Sequence, residues 1–338
     1  MTDQTQRPLN VAIMGAGRIA RHMAETLNKM AASEEYASVA KPYAIASRSQ
    51  DKADAFAKDF NLPHAYGTYE AMLADPDIDL VYIATPHNMH EENGIACMRA
   101  GKNILVEKSF TANEKQALNL LDVADDTGML CTEAIWTRYM PSRAMIDEII
   151  SSGMIGEVTS ISADLSYPVA YKSRMTDPSL AGGALLDVGV YPLNFIHMIM
   201  GAQEIKDMST IMVPYSTGVD ASNSTTLVYD DNTMAVATSS MLCASDRDGI
   251  VRGTNGYLIC HNINNVESID VFDADHKLTN HLHVPEQLTG YEYEVAAAVK
   301  AIREGKHECI EMTHADTLRI MHLMDQIRQG WNLTYPFE

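Results

Sequence analysis

Leu9-Asn10-Val11-Ala12-Ile13-Met14-Gly15-Ala16-Gly17-Arg18-Ile19-Ala20 decides the fold. Its first six residues are a short, mostly apolar run of the kind that fills a buried parallel strand. A G-x-G-x-x-A turn follows, and Ile19, Met23, Leu27 and Met30 then recur at helical spacing. Each small residue has a physical task in such a strand–turn–helix. Gly15 permits the tight turn, Gly17 lets the backbone approach a pyrophosphate, and Ala20 lets the helix pack closely on the strand. The helix N-terminus attracts the anion, so Gly15, Ala16, Gly17, Arg18 and Ile19 are expected around a dinucleotide. Alone this motif is weak; between a strand and a helix it carries weight.

Working outward, Lys41-Pro42-Tyr43-Ala44-Ile45-Ala46 reads as the second strand and leads into Ser47-Arg48-Ser49. A site that prefers NAD usually ends this strand on Asp or Glu, which holds the ribose 2′-hydroxyl. Here a small hydroxyl and a guanidinium stand there instead. That pair suits a 2′-phosphate, since Arg forms paired charge-assisted bonds to phosphate oxygens. Lys52, one turn into the next helix, adds charge. The expected cofactor is NADP, with NAD possible.

The β-α alternation continues to residue 133. Asp79–Ala84, Asn103–Glu107 and Met129–Thr132 read as strands, with helices between them that end at Gly101 and Gly128. Repeated β-α units build a doubly wound parallel sheet, a Rossmann-type α/β domain over residues 1–133. Its ligand belongs at the carboxyl ends of the strands, where Gly15, Ser47, Thr85, Lys108 and Glu133 all fall. From residue 134 the grammar changes. Strand-like runs at 158–167, 208–213, 225–229, 234–242, 257–261 and 268–272 follow one another with few helices between. This predicts an α+β domain over 134–338 with a large, mainly antiparallel open sheet, for substrate binding and oligomerisation.

The reactive chemistry is expected from two places. Gly183-Ala184-Leu185-Leu186-Asp187-Val188-Gly189-Val190-Tyr191 opens an apolar helix and puts Asp187 and Tyr191 on one face, about a turn apart. Lys108 follows the strand 103–107. A phenol with a reference pKa of about 10 is a poor base at neutral pH, and a nearby ammonium favours its ionised form. Lys108, Tyr191 and Asp187 are thus the catalytic candidates for moving the proton in a carbonyl–alcohol hydride transfer. Which of Lys108 and Tyr191 transfers it first stays open. Arg174, in the irregular loop 168–179, is a further substrate candidate.

Composition narrows the partners. The chain has 338 residues with 45 acidic against 25 basic, a net charge of −20. That argues against nucleic acid or an anionic membrane as the main partner. No run of 18 apolar residues marks a membrane span. The five cysteines are scattered and form no C-x-x-C pair, and the histidines lack metal-ligand spacing, so no metal is expected. Reduced thiols and a polar N-terminus without a signal-peptide pattern point to the cytoplasm.

The order G-A-G-R-I-A, S-R-S, T-P-x-x-x-H, A-G-K-N-I-L-V-E-K and G-G-A-L-L-D-V-G-V-Y resembles the glucose–fructose oxidoreductase and inositol dehydrogenase (Gfo/Idh/MocA) family over essentially the whole chain. Glu133-Ala134-Ile135-Trp136-Thr137-Arg138-Tyr139 and Gly253-Thr254-x-Gly256 are most similar to its dimeric trans-dihydrodiol / D-xylose 1-dehydrogenase branch, which uses NADP. The resemblance implies that Lys108 is the catalytic Lys of an E-K-P motif and that Asp187 orients substrate. It puts Tyr191 where other members carry His or Tyr. It adds Thr85, Pro86, His87, His90 and Glu107 to the cofactor side, and His90 and Trp136 to the substrate pocket. Two positions depart from the pattern: Ser109 replaces Pro after Lys108, and His87 stands where Asn is common.

The reading that follows is an NADP-dependent oxidoreductase. It exchanges a hydride with a secondary alcohol or hemiacetal carbon of a sugar or cyclic diol, of the D-xylose or trans-dihydrodiol kind. A keto-sugar or inositol-type enzyme of the same family is the alternative, and a non-catalytic dinucleotide sensor the alternative from another class. A homodimer or homotetramer through the C-terminal sheet is expected.

Overall fold

The computed structural model describes residues 7–338. The expectation of a polar, leaderless start falls partly on residues 1–6, outside the described residues. The chain divides into two compact units. One comprises residues through Tyr139 together with Gln287–Leu318, the other Met140–Glu286 with Arg319–Glu338.

The first unit is built on six parallel strands: β1 (Leu9–Met14), β2 (Ala40–Ala46), β3 (His64–Tyr66), β4 (Leu80–Ile83), β5 (Asn103–Glu107) and β6 (Cys131–Ala134). Their order is β3-β2-β1-β4-β5-β6, the order of a dinucleotide-binding sheet. β1 lies at its centre with all six residues buried, as its apolar run requires. β3 escapes the sequence pattern because three partly exposed residues show no periodicity. The strand ends are in register: Met14 pairs with Ala46 and Ile83, Ile83 with Val106, and Glu107 with Ala134. One edge of the sheet therefore carries Gly15, Ser47, Thr85 and Lys108 side by side.

Gln287–Leu318 belongs to this unit, whereas the sequence pattern assigns everything after residue 133 to the second domain. The reason is packing. The helix Glu292–Arg303 buries Val295, Ala298, Val299 and Ala301, and it lies against β2, β5 and the helix Arg18–Ala32. Thr289 bonds Thr26 hydroxyl to hydroxyl at 2.7 Å, and the Cys131 N–H donates to the His307 carbonyl at 2.9 Å.

The second unit is an eight-stranded sheet: β7 (Val158–Ser166), β8 (Ile205–Pro214), β9 (Asp220–Tyr229), β10 (Met234–Ser240), β11 (Gly249–Gly253), β12 (Gly256–His261), β13 (Ser268–Asp273) and β14 (Leu278–His283). Its order is β14-β13-β12-β11-β7-β10-β9-β8. All neighbours are antiparallel except β7 and β10. A π-helical turn, Leu185–Gly189, and the α-helix Val190–Met200 follow each other on this sheet. The stretch Pro178–Met200 is long and apolar enough to cross a membrane, but 89% of its apolar window is buried inside the protein. Its apolarity serves the core.

Candidate active site

In the first unit the turn after β1 behaves as its glycines predict. Gly15 has φ +101°, and a Cβ there would lie 2.9 Å from the Ala84 carbonyl oxygen. Its N–H donates to the Ala46 carbonyl at 2.9 Å, tying the turn to the neighbouring strand end. Gly17 differs. Its backbone is extended, with φ −85° and ψ −171°, which any residue adopts. A Cβ on Gly17 would meet nothing within 4 Å. Neither backbone nor protein packing demands glycine here, so the open space in front of it is what the missing side chain preserves. The helix Arg18–Ala32 starts there with no side-chain cap and no acid in its first turn. Unsatisfied N–H groups facing open space make an anion site.

Ser47 is buried, with its N–H on the Tyr66 carbonyl at 3.0 Å. Arg48 is exposed, and its charge opposes the rise that burial causes in the Tyr69 pKa. Lys52 is exposed near the start of the helix Gln50–Phe60. Beyond β4, Pro86 is exposed and His87 lies in a short 3-10 turn, its ring edge-on to His90 at 5.7 Å.

The resemblance puts His90 against the ligands. The structure buries its ring and turns both nitrogens to backbone carbonyls. Nε2 lies 2.8 Å from the Thr85 oxygen; Nδ1 lies 3.0 and 3.1 Å from those of Ser109 and Phe110. Burial lowers the imidazole pKa. His90 thus ties the loop after β4 to the segment that follows Lys108. Asn93 donates to the Thr85 hydroxyl at 2.9 Å and reinforces the tie. Lys108 is half-buried and joined to Ser109 by a cis peptide bond. Just before it, buried Glu107 accepts a hydrogen bond from the Tyr82 hydroxyl. Glu133 is also buried. Its Oε1 accepts from the Phe110 N–H at 3.1 Å, and burial pushes its carboxyl up to about 7.

Trp136 stacks flat on Tyr291, with ring centroids 4.3 Å apart and planes 9° from parallel. Its buried Nε1 has no partner among the described residues, and a buried donor left unpaired in a native fold calls for an explanation. Tyr291 has no signal in the sequence, because only the return of Gln287–Leu318 to this unit brings it near Trp136.

In the second unit Arg174 and Asp187 form a bidentate ion pair. Nη1 donates to Oδ1 at 2.6 Å and Nη2 to Oδ2 at 3.2 Å. Asp187 lies in the π-helical turn and Tyr191 at the start of the α-helix after it; both are buried. Four-residue spacing therefore joins two kinds of helix, and π-turns recur at functional sites. The loop 172–183 is fixed by its own backbone. The Gly182 N–H donates to the Asp177 carbonyl at 3.1 Å and the Gly183 N–H to that of Met175 at 2.9 Å. A Cβ on Gly182 would lie within 3.0 Å of three carbonyl oxygens, those of Asp177, Met175 and Arg174.

Comparison with known proteins reaches the same architecture. Residues 9–134 match the family model of the NAD-binding Rossmann fold of the Gfo/Idh/MocA oxidoreductases, and residues 144–259 match the model of their C-terminal domain. The chain belongs to the Gfo/Idh/MocA oxidoreductase family. It is 31% identical to a trans-1,2-dihydrobenzene-1,2-diol dehydrogenase of Xenopus tropicalis over 329 residues, covering 96% of this chain and 98% of the relative. The Danio rerio protein of that name is 29% identical over 336 residues, covering 97% and 98%. A 3-ketoreductase from Actinomadura kijaniata, solved with NADP and TDP-benzene, superposes with a TM-score of 0.83 at 27% identity, covering 96% and 98%. This family member is an NAD(P)-dependent oxidoreductase, and the uncrowded Gly17 cradle fits the dinucleotide that such an enzyme uses.

Proposed function

We propose that this chain is an NADP-dependent dehydrogenase of a secondary alcohol or hemiacetal carbon in a sugar or cyclic diol, of the D-xylose or trans-dihydrodiol kind. The observation that carries the cofactor preference is the end of β2, where Ser47 and Arg48 replace an acid and Lys52 stands exposed on the next helix. Near full-length similarity to trans-1,2-dihydrobenzene-1,2-diol dehydrogenases supports the substrate class.

A nicotinamide cofactor, when bound, would supply the hydride chemistry. The chain's own residues do the rest. Backbone N–H groups from Gly15 to Ile19 would hold its pyrophosphate, with Thr85, Pro86, His87 and Glu107 at the remaining strand ends. His90 positions the loops that carry Thr85 and Lys108. Tyr191 and Lys108 are the groups that move the hydroxyl proton. Asp187, held rigid by Arg174, orients the substrate hydroxyl, and Trp136 is a further residue of the substrate pocket.

The test is the absorbance of reduced nicotinamide with purified protein, in both directions, over a panel of aldoses, inositols, trans-diols and keto-sugars. Oxidation of aldoses or trans-diols with NADP is expected. Faster reduction of keto-sugars would favour the reverse role, which the 3-ketoreductase likeness supports. Tight NADPH binding without turnover on any member would mean a sensor.

Five free cysteines fit a reducing cytoplasm. Edge strand β8 exposes Ile211 and Val213 on one face, 71% and 57% accessible, which supports a homodimer or homotetramer through this sheet. Replacing both with Asp is expected to lower the mass seen by light scattering; an unchanged mass would remove this surface from the interface.

A further inference from the structure

The turn that presents Asp187 starts without a cap of its own. Its first N–H, that of Leu185, is satisfied from another strand. Asp220, the first residue of β9, is wholly buried. Its Oδ2 accepts from the Leu185 N–H at 2.7 Å and from Asn223 Nδ2 at 2.8 Å. Oδ1 faces Gly183, where a Cβ would lie only 2.1 Å from it. Gly183 has φ +123°, so both its backbone and this carboxyl require glycine. A second clamp comes from the chain end. The Tyr335 hydroxyl donates to the Gly182 carbonyl at 2.9 Å. Its ring lies under Arg328, which Asp325 and Glu338 hold. The turn itself rests on β7, β9 and β10.

A carboxyl that bonds the first N–H of a helix fixes where the helix starts and how it is rotated. Asp187 is two residues beyond Leu185 and Tyr191 six. A shift of one residue in the start would rotate both by about 100° and break the two-point contact of Asp187 with Arg174.

We propose that Asp220 is a positioning residue of the reaction, capping the Leu185 turn so that Asp187 and Tyr191 are presented in one fixed orientation. This rests on the reading of Asp187 and Tyr191 as working groups. Asp220 itself touches no substrate.

The test compares Asp220→Ala and Asp220→Asn in the full chain, by steady-state kinetics and by hydrogen exchange of the amides at 183–187. Ala removes the acceptor. The expected result is a fall in kcat of about tenfold or more with the KM for NADP unchanged, and a similar loss of Leu185 amide protection. Asn keeps an acceptor oxygen and is expected to restore both to within about threefold. Should Asp220→Ala fail to fold, Asp220→Ser, a shorter acceptor, replaces it with an intermediate loss expected. Full kcat and full Leu185 protection in Asp220→Ala or Asp220→Ser would overturn the proposal, as would an Asn variant that restores neither. A wild type without turnover on the whole panel sinks the functional reading alone, and the exchange data still decide this one.

Discussion

Two helices in this molecule begin just after glycine turns, and they use the same grammar for opposite ends. At Gly15–Gly17 the helix start is left bare. A Cβ on Gly17 would meet nothing, and no side chain caps the N–H groups. At Gly182–Gly183 the helix start is filled by the protein's own carboxyl, Asp220, against which a Cβ on Gly183 would collide. The first turn keeps its anion site open for a ligand. The second has its hydrogen-bond acceptor built in and uses the resulting rigidity to hold Asp187 and Tyr191.

The sharpest break in that comparison is chemical. If the filled turn exists to present Tyr191, then Tyr191→Phe removes the proton-handling group and leaves the open turn untouched. Turnover is expected to fall by about 10²–10⁴-fold, the range of general acid–base catalysis, with NADPH affinity retained. Retained turnover would free Tyr191 from the role.

Exchanging the glycines tests the contrast directly. Gly17→Val is expected to leave the melting temperature nearly unchanged, since the backbone there is extended and the space open. It should weaken dinucleotide binding by about 100-fold or more, because the side chain enters the anion site. Gly183→Val inverts the pattern: the melting temperature falls through the left-handed φ and the carboxyl clash, while dinucleotide affinity holds. Equal effects of both variants on both readouts would abolish the distinction.

Arg48→Ala asks what reaches into the open site. Losing charge-assisted bonds to a 2′-phosphate costs about 1.5–3 kcal/mol, or roughly 10–150-fold in affinity. The loss is expected for NADP(H) and not for NAD(H), measured by titrating the two cofactors against fluorescence. Parallel losses would return the cofactor preference to open question.

The two turns also differ in how much the sequence tells of them. The open one is legible because its logic is local: strand, glycines and helix are consecutive, and the parallel register then fixes Ser47, Thr85 and Lys108 at one edge. The filled one is only half legible. The pattern shows Asp187 and Tyr191 one turn apart, but Asp220 comes from a strand some 35 residues on and Tyr335 from near the chain end. Neither carries a motif. The same blindness explains Tyr291, which a returning segment brings under Trp136, and the two ring-nitrogen contacts of His90 with carbonyls 19 and 20 residues away. Periodicity reports which face is buried, not what it is buried against.

The least direct test of the comparison is a pH slope, and it takes one buried carboxyl from each unit. Burial pushes both Glu133 and Asp220 up to about 7, from ordinary values of 4.5 and 3.8. Between those values and 7 the folded chain holds protons that the unfolded chain has released. Stability from these groups is therefore complete below about pH 4, falls as pH rises to 7, and is flat above. The slope is at most about 1.4 kcal/mol per pH unit for each group. Asp75 and Asp270, whose pKa values are lowered, act in the opposite sense below pH 4. Inside the window His90, lowered from 6.5 by burial, opposes the decline and Glu294, raised by burial, adds to it, so the comparison of variants with wild type isolates the two shares. Denaturant midpoints measured from pH 4.5 to 8 should show the decline, and Glu133→Gln and Asp220→Asn should each flatten it by a share. A variant that leaves the slope unchanged would show that its carboxyl is already ionised at pH 5, and for Asp220 that the filled turn is held by a charge throughout.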